Sequence, residues 1–495
     1  MTGPIITAFV WDSYARGLAE ASKELGVDVR TFTRMSVNDG PEAYDRFVRS
    51  AEESDLVLVH LMGADVPEYV LRVLEKLPES AKVLTFGKDP MSFINTTGPK
   101  EAALKCCEYL SLNGKDNVRS CLLYLLKTMY GWNVEVPEVE RLPMQGILDT
   151  EGKRFGSIGE FIAEHPPIPG APWVGIITSR TSWVNDNCDV EYDLVRRFNS
   201  KGINAVLVYS SPRTIPQEDM LGLADSVMKY MFLDGKFLPS AMIKTTVLLY
   251  GQASAFGQES EDGFLKTLDV PVFQPVIPSS MTKEAYKDAP GLKRDVSYDI
   301  TFQEFEGTIE PILIGFSRED SFSEAHRRPI TERAEYFVDR VIRRIKLRTT
   351  PNSEKKVAFF LNNYPCAGAE ANVGEDKDLN VMDSLANILR RMKEEGYTVD
   401  APDTGKGLME CIMEHKALSD FRWTNATEIE RCGGVLYHMS PEEYGEWFSG
   451  LSDKVKDDVR RIWGEPPGEA MIGEGKILIT GVRFGNVLVM VQPKR

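Results

Sequence analysis

After Asp55 the chain runs Leu56-Val57-Leu58-Val59-His60-Leu61, apolar throughout apart from one histidine near its end. A strand with one wet face alternates polar and apolar residues, and a run without alternation is covered on both faces. Helices must therefore flank this strand on both sides, which is the arrangement of a parallel α/β sheet. Its surroundings agree. Residues 4–11 form a short apolar run, followed by a helix that Asp12 or Ser13 can cap and Gly26 can end. Residues 27–33 alternate like a strand, 66–77 have a helical pattern and 81–86 form another strand, with helices expected near 99–112 and 117–130. Alternating elements of these lengths predict a doubly wound, Rossmann- or flavodoxin-like parallel sheet over 1–163.

The segment Glu164-His165-Pro166-Pro167-Ile168-Pro169-Gly170-Ala171-Pro172 then interrupts the pattern. Prolines stiffen the chain and cannot donate to a ladder, so a domain boundary is expected there. The alternation restarts over 173–330. Strands are predicted at 173–178 and 203–209 and a helix at 189–201 closed by Gly202, with strand-like runs at 242–250, 270–276 and 311–316. A helix over 331–347 carries its glutamates early and its arginines late, as the helix dipole favours. A third α/β segment, 331–495, contains the run Val357–Leu361, a glycine-containing loop, and an amphipathic helix 379–395 stopped by Gly396-Tyr397. Read locally, 355–399 is a βαβ unit with a buried first strand. The chain of 495 residues suits roughly three such domains.

The formal net charge of −16 disfavours nonspecific binding to nucleic acid or anionic membrane. Every apolar run falls short of the ~20 residues that span a bilayer, and Met1-Thr2-Gly3-Pro4 is not a secretion signal, so a cytoplasmic protein is expected. The seven cysteines are scattered, with no CxxC pair, and suggest neither a disulfide framework nor a zinc ribbon. No Walker A loop or dinucleotide glycine fingerprint is present, so ATP and NAD are not expected to bind in the usual way.

Ligands of doubly wound sheets sit beyond the carboxyl ends of the strands. His60 stands at such an end. A structural histidine bonded to backbone is the plainer reading and a metal ligand the alternative. Arg180 and Trp183 follow the first strand of the second unit, where a guanidinium and an aromatic ring can grip a carboxylate and stack on a flat ring, or merely pack. Asn363 and Tyr364, before Pro365, hold the equivalent place in the third unit. Arg483-Phe484-Gly485-Asn486 alone reads as a hairpin turn, with Arg483 and Asn486 offering donors.

The order of these pieces resembles the large subunit of cobaltochelatase and magnesium chelatase. The matching elements are Asn363-Tyr364-Pro365, Gly368 and Gly374, Leu379-Asn380-Val381-Met382-Asp383-Ser384-Leu385, Gly396-Tyr397, Trp463-Gly464-Glu465-Pro466-Pro467-Gly468, and Arg483-Phe484-Gly485-Asn486 with Gln492-Pro493. The family's Leu-Asp dipeptide is replaced here by Leu379-Asn380. The resemblance implies a tetrapyrrole substrate, Co2+ or Mg2+ as the inserted metal, and ATP used only by separate AAA+ ATPase subunits. It makes Arg180, Trp183, Asn363, Tyr364, Arg483 and Asn486 candidates for ring or cleft contacts. Members of the family continue beyond the Gln-Pro element, whereas this sequence ends at Arg495. A short form, a fragment or a split-gene product is the expectation, with a separate chain carrying the remainder. The alternative is a non-catalytic scaffold that holds a tetrapyrrole or a partner.

Overall fold

In the computed structural model the described residues are 3–493, apart from 39, 62–65, 79, 212–213, 216–217, 248–261, 279–281, 293–299, 318–325, 363–372, 375–377, 419–423 and 469. The chain divides into two compact units, Met1–Ile345 and Lys346–Arg495.

The first unit contains two parallel sheets. In the first, β1 (Ile5–Phe9), β2 (Asp28–Phe32), β3 (Leu56–Leu61) and β4 (Lys82–Gly87) lie in the order β2-β1-β3-β4, every pair parallel. All six residues of β3 are buried, as its unbroken apolar run requires. One face is covered by α1 (Asp12–Leu25), α2 (Lys100–Leu112) and α3 (Lys115–Tyr130), which share a core with Ile6, Leu58 and Phe86. The other face packs Val57 and Val59 against Phe47 and Val70. Gly26 ends α1 with φ +64°, a left-handed conformation that favours glycine. Trp11, one residue before the expected caps Asp12 and Ser13, occupies the N-cap position, and its side chain makes no capping bond.

The second sheet comprises β5 (Gly146–Leu148), β6 (Arg154–Phe155), β7 (Trp173–Ser179), β8 (Asn204–Ser210), β9 (Pro239–Lys244) and β10 (Val272–Phe273), in the order β10-β9-β7-β8-β5-β6. Its four parallel strands repeat the order of the first sheet, with the second strand outside the first and the third and fourth on the other side. β5 and β6 join antiparallel at the β8 edge. Residues 146–155 therefore pair into the second sheet, although they precede the expected boundary at 163. α4 (Thr331–Thr349) buries Phe337, Val338, Val341 and Ile345 in the core of this second layer, as its apolar spacing predicts.

Within the second unit, β11 (Val357–Leu361), β15 (Val482–Phe484) and β16 (Val487–Val491) form a three-stranded sheet in the order β11-β16-β15. A second small sheet, wholly antiparallel, is made by β12 (Val435–Met439), β13 (Ile472–Gly473) and β14 (Lys476–Thr480), with β14 central. Two local expectations fail here. No strand follows the helix Val381–Glu394, so 355–399 is not a βαβ unit, and β11 pairs in parallel with the distant β16 instead. Nor is β11 covered on both faces. Leu361 is buried while Ala358 and Phe360 are exposed, because the helices pack on one side only. Among the described residues no helix is long and apolar enough to cross a membrane.

Candidate functional site

Parallel strands all point their carboxyl ends the same way, and the loops leaving them open crevices where the strand order reverses. In the first sheet that reversal lies between β1 and β3, and in the second between β7 and β9. Both reversals border one cavity of about 840 Å³, within the range of small-molecule sites. The first sheet contributes Tyr14 after β1, His60 and Leu61 at the end of β3 and Lys88 after β4. The second contributes Ser179 at the end of β7 and Arg180 just after it, Ser210 and Ser211 at the end of β8 and Thr246 after β9.

The wall from the first sheet is aromatic, and its only charged side chain among the described lining residues is Lys88 at the rim. His60 is 4% exposed, with its ring 5.4 Å from Phe86 in a stacked arrangement and 4.9 Å from Tyr14 in an edge contact. Its Nδ1 has no hydrogen-bond partner. Burial favours the uncharged imidazole and lowers its pKa to about 4. The Tyr14 phenol is pushed well above its ordinary range, also chiefly by burial.

The second wall is charged and tightly bonded. Arg180 is 9% exposed. Its Nε donates to the Pro143 carbonyl at 3.0 Å, and its Nη2 to the carbonyls of Leu112 (3.0 Å) and Leu142 (3.2 Å). Leu112 ends α2, so the guanidinium sits at a helix C-terminus, where the dipole favours a cation. Behind this wall Glu191 is fully buried. It accepts from Thr178 (2.9 Å), Thr245 (2.7 Å) and the Arg327 Nη2 (3.0 Å), while Arg327 also donates to the Ser182 hydroxyl and the Asn187 carbonyl. This network joins the ends of β7 and β9 and fixes the loops that carry Ser179 and Arg180. Lys244, at the end of β9, is itself buried and pairs with Glu306 at 2.6 Å.

Of the residues singled out from sequence, His60 and Arg180 line this cavity together. Trp183 lies against Tyr209, ring centroids 4.2 Å apart, packed on the second core. Arg483 and Asn486 belong to the second unit, in a β15–β16 hairpin. Arg483 is exposed, and Asn486 donates to the Ser353 carbonyl at 2.9 Å. Asn363 and Tyr364 lie outside the described residues. Sequence reasoning missed Tyr14, Lys88, Ser210 and Ser211, although their positions just past strand ends were a usable signal. It also missed Glu191 and Arg327, whose partners are remote in the chain.

A family model described as CobN/Magnesium Chelatase matches residues 107–495. The chain belongs to the CobN/magnesium chelatase family. An uncharacterized protein of Methanocaldococcus jannaschii, MJ1441, is 36% identical over 99% of this chain and 39% of its own length. The aerobic cobaltochelatase subunit CobN of a Sinorhizobium species is 23% identical over 96% of this chain and 37% of its own length. The chain thus spans about two fifths of the length of each of these relatives. The solved catalytic subunit of cobaltochelatase from Mycobacterium tuberculosis superposes with a TM-score of 0.63 at 19% identity, covering 99% of this chain and 39% of that one. At that identity the likeness shows a shared fold.

Proposed function

We propose that this chain is the front part, or a short form, of the tetrapyrrole-binding large subunit of a metal chelatase. The metal, cobalt or magnesium, and the tetrapyrrole are its substrates. ATP hydrolysis belongs to separate partner subunits, and further steps depend on the portion of the family's length not represented here. The observation that carries this reading is the cavity shared by the carboxyl ends of two same-order sheets, in a chain of the chelatase family.

The arrangement suits holding a flat ring. The neutral His60 and Tyr14, backed by the buried Phe86, give an aromatic wall that tolerates a macrocycle. The bonded wall of Ser179 and Arg180 supplies fixed polar groups that orient it. Metal insertion also needs a base for two pyrrole protons. His60, with its pKa lowered to about 4, is a poor one at neutral pH, so its role here is to bind and orient.

Absorbance titration of the full chain with hydrogenobyrinate, sirohydrochlorin and protoporphyrin tests this. A saturable spectral shift with at least one ring is expected, and no shift with any of them would contradict it. Binding without metal insertion after addition of the ATPase subunits and any remaining portion would favour the scaffold instead.

A further inference from the structure

The cavity's charge is unbalanced. Arg180 is nine-tenths buried, yet all three of its hydrogen bonds end on neutral carbonyls, and no carboxylate pairs with it among the described residues. The dipole at the end of α2 offers about half a charge in compensation. A buried cation left short of an anion is costly, and proteins keep one where something negative arrives. Lys88, exposed at the rim of the same cavity, also makes no ion pair among the described residues. Glu218, exposed, is the sole carboxylate among the described lining residues. Hydroxyls of Ser13, Ser111, Ser179 and Thr181 line the space between. His60, which also lines the cavity, is neutral and adds no charge to it.

We propose that the cavity is a carboxylate subsite, in which Arg180 anchors an acidic side arm of the ring and Lys88 draws it in from the rim. This rests on the tetrapyrrole reading above and deepens it, because it predicts which rings bind. An arm that exchanges water for a guanidinium gains a charge-assisted bond of about 1.5–3 kcal/mol, or about tenfold or more in affinity. Rings rich in carboxylates should therefore outrank rings with few.

The test uses the full wild-type chain and needs no variant. Uroporphyrin, coproporphyrin and protoporphyrin, in descending order of carboxylate number, are titrated separately by absorbance. The dissociation constant is expected to rise down the series, with about a tenfold difference between its ends, and added salt should narrow that difference. Equal affinities for all three rings would overturn the carboxylate subsite while leaving the ring reading intact. Failure of every ring to bind would overturn both. Acetate and inorganic phosphate serve as free-anion controls, and thermal protection by either that matches protection by uroporphyrin would assign the site to small anions and reject the ring arm. Lys88→Gln, which removes an exposed side chain, should weaken all three carboxylate-bearing rings, uroporphyrin most. Unchanged affinity for every ring would count against the proposal. Arg180→Lys keeps the charge but loses the fork, and should flatten the ranking even where the fold is retained.

Discussion

The two parallel sheets of Met1–Ile345 repeat one strand order but finish their strands with opposite chemistry. The first ends in a packed cluster of Tyr14, His60 and Phe86, with Lys88 the one charge at its rim. The second ends in ionic and hydroxyl networks around Glu191 and Arg180, held by directed bonds. The shared order explains why the crevices fall at equivalent places, since a parallel sheet opens where its winding reverses. The difference shows that topology fixes where a ligand can sit, while residues just beyond the strands decide what it can be. A wall held by packing should respond to shape and to protonation, and one held by ion pairs should respond to removal of a single partner.

The largest effect is expected in the second sheet. Glu191→Gln leaves the Arg327 guanidinium buried without its anion, at a cost of about 3–5 kcal/mol. Urea unfolding followed by far-ultraviolet circular dichroism measures it. A loss below about 1 kcal/mol would mean that the network does not hold the ends of β7 and β9 together.

Next comes the pH response of the first sheet. An ordinary imidazole titrates near 6.5 and His60 near 4, so between these values the unfolded chain binds a proton that the folded chain refuses. Stability should therefore fall as pH drops from about 6.5 towards 4, with His60 contributing at most about 3 kcal/mol. His326, on the second layer, is lowered to a similar value by burial and by the charge of Arg16, so the wild-type slope contains both. His60→Phe keeps a ring between Tyr14 and Phe86 and should remove only its own share. An unchanged slope in that variant would show that His60 is not held neutral by the fold.

A smaller contrast concerns glycines inside the two sheets. A Cβ on Gly87 would meet the Leu61 carbonyl oxygen at 2.5 Å, and backbone cannot step aside. Gly87→Ala should cost about 1–3 kcal/mol and disturb the wall next to His60. A Cβ on Gly175 would meet the sulfurs of Met242 and Met231 at 2.6 and 2.7 Å and the Pro239 ring at 2.9 Å, side-chain atoms rather than backbone. Gly175→Ala should be the milder change in thermal melts, and the reverse ranking would mean that the side chains around Gly175 yield less than the backbone beside Gly87.

Much of the first unit was legible in the sequence because buried parallel strands announce themselves as unbroken apolar runs. Leu56–Leu61 and Asn204–Ser210 are examples, each buried throughout. The short strands β5 and β6 were not, since three residues and two residues carry no period. Pairing in the second unit was illegible for another reason. Nothing near Val357–Leu361 says that its partner is Val487–Val491, because partner choice is settled by long-range packing. At the site, strand-end position pointed to His60 and Arg180. Glu191 lay hidden inside an ordinary amphipathic helix, Asp189–Ser200, and its partners Thr178, Thr245 and Arg327 meet it only in the folded chain.

Both sheets are expected to face one ligand. Hydrogen–deuterium exchange of the full chain, with and without a bound tetrapyrrole, tests it most directly. Protection is predicted together at 11–14 and 60–61 of the first sheet and at 179–181 and 210–211 of the second. Protection confined to one sheet, or found only within Lys346–Arg495, would contradict the claim.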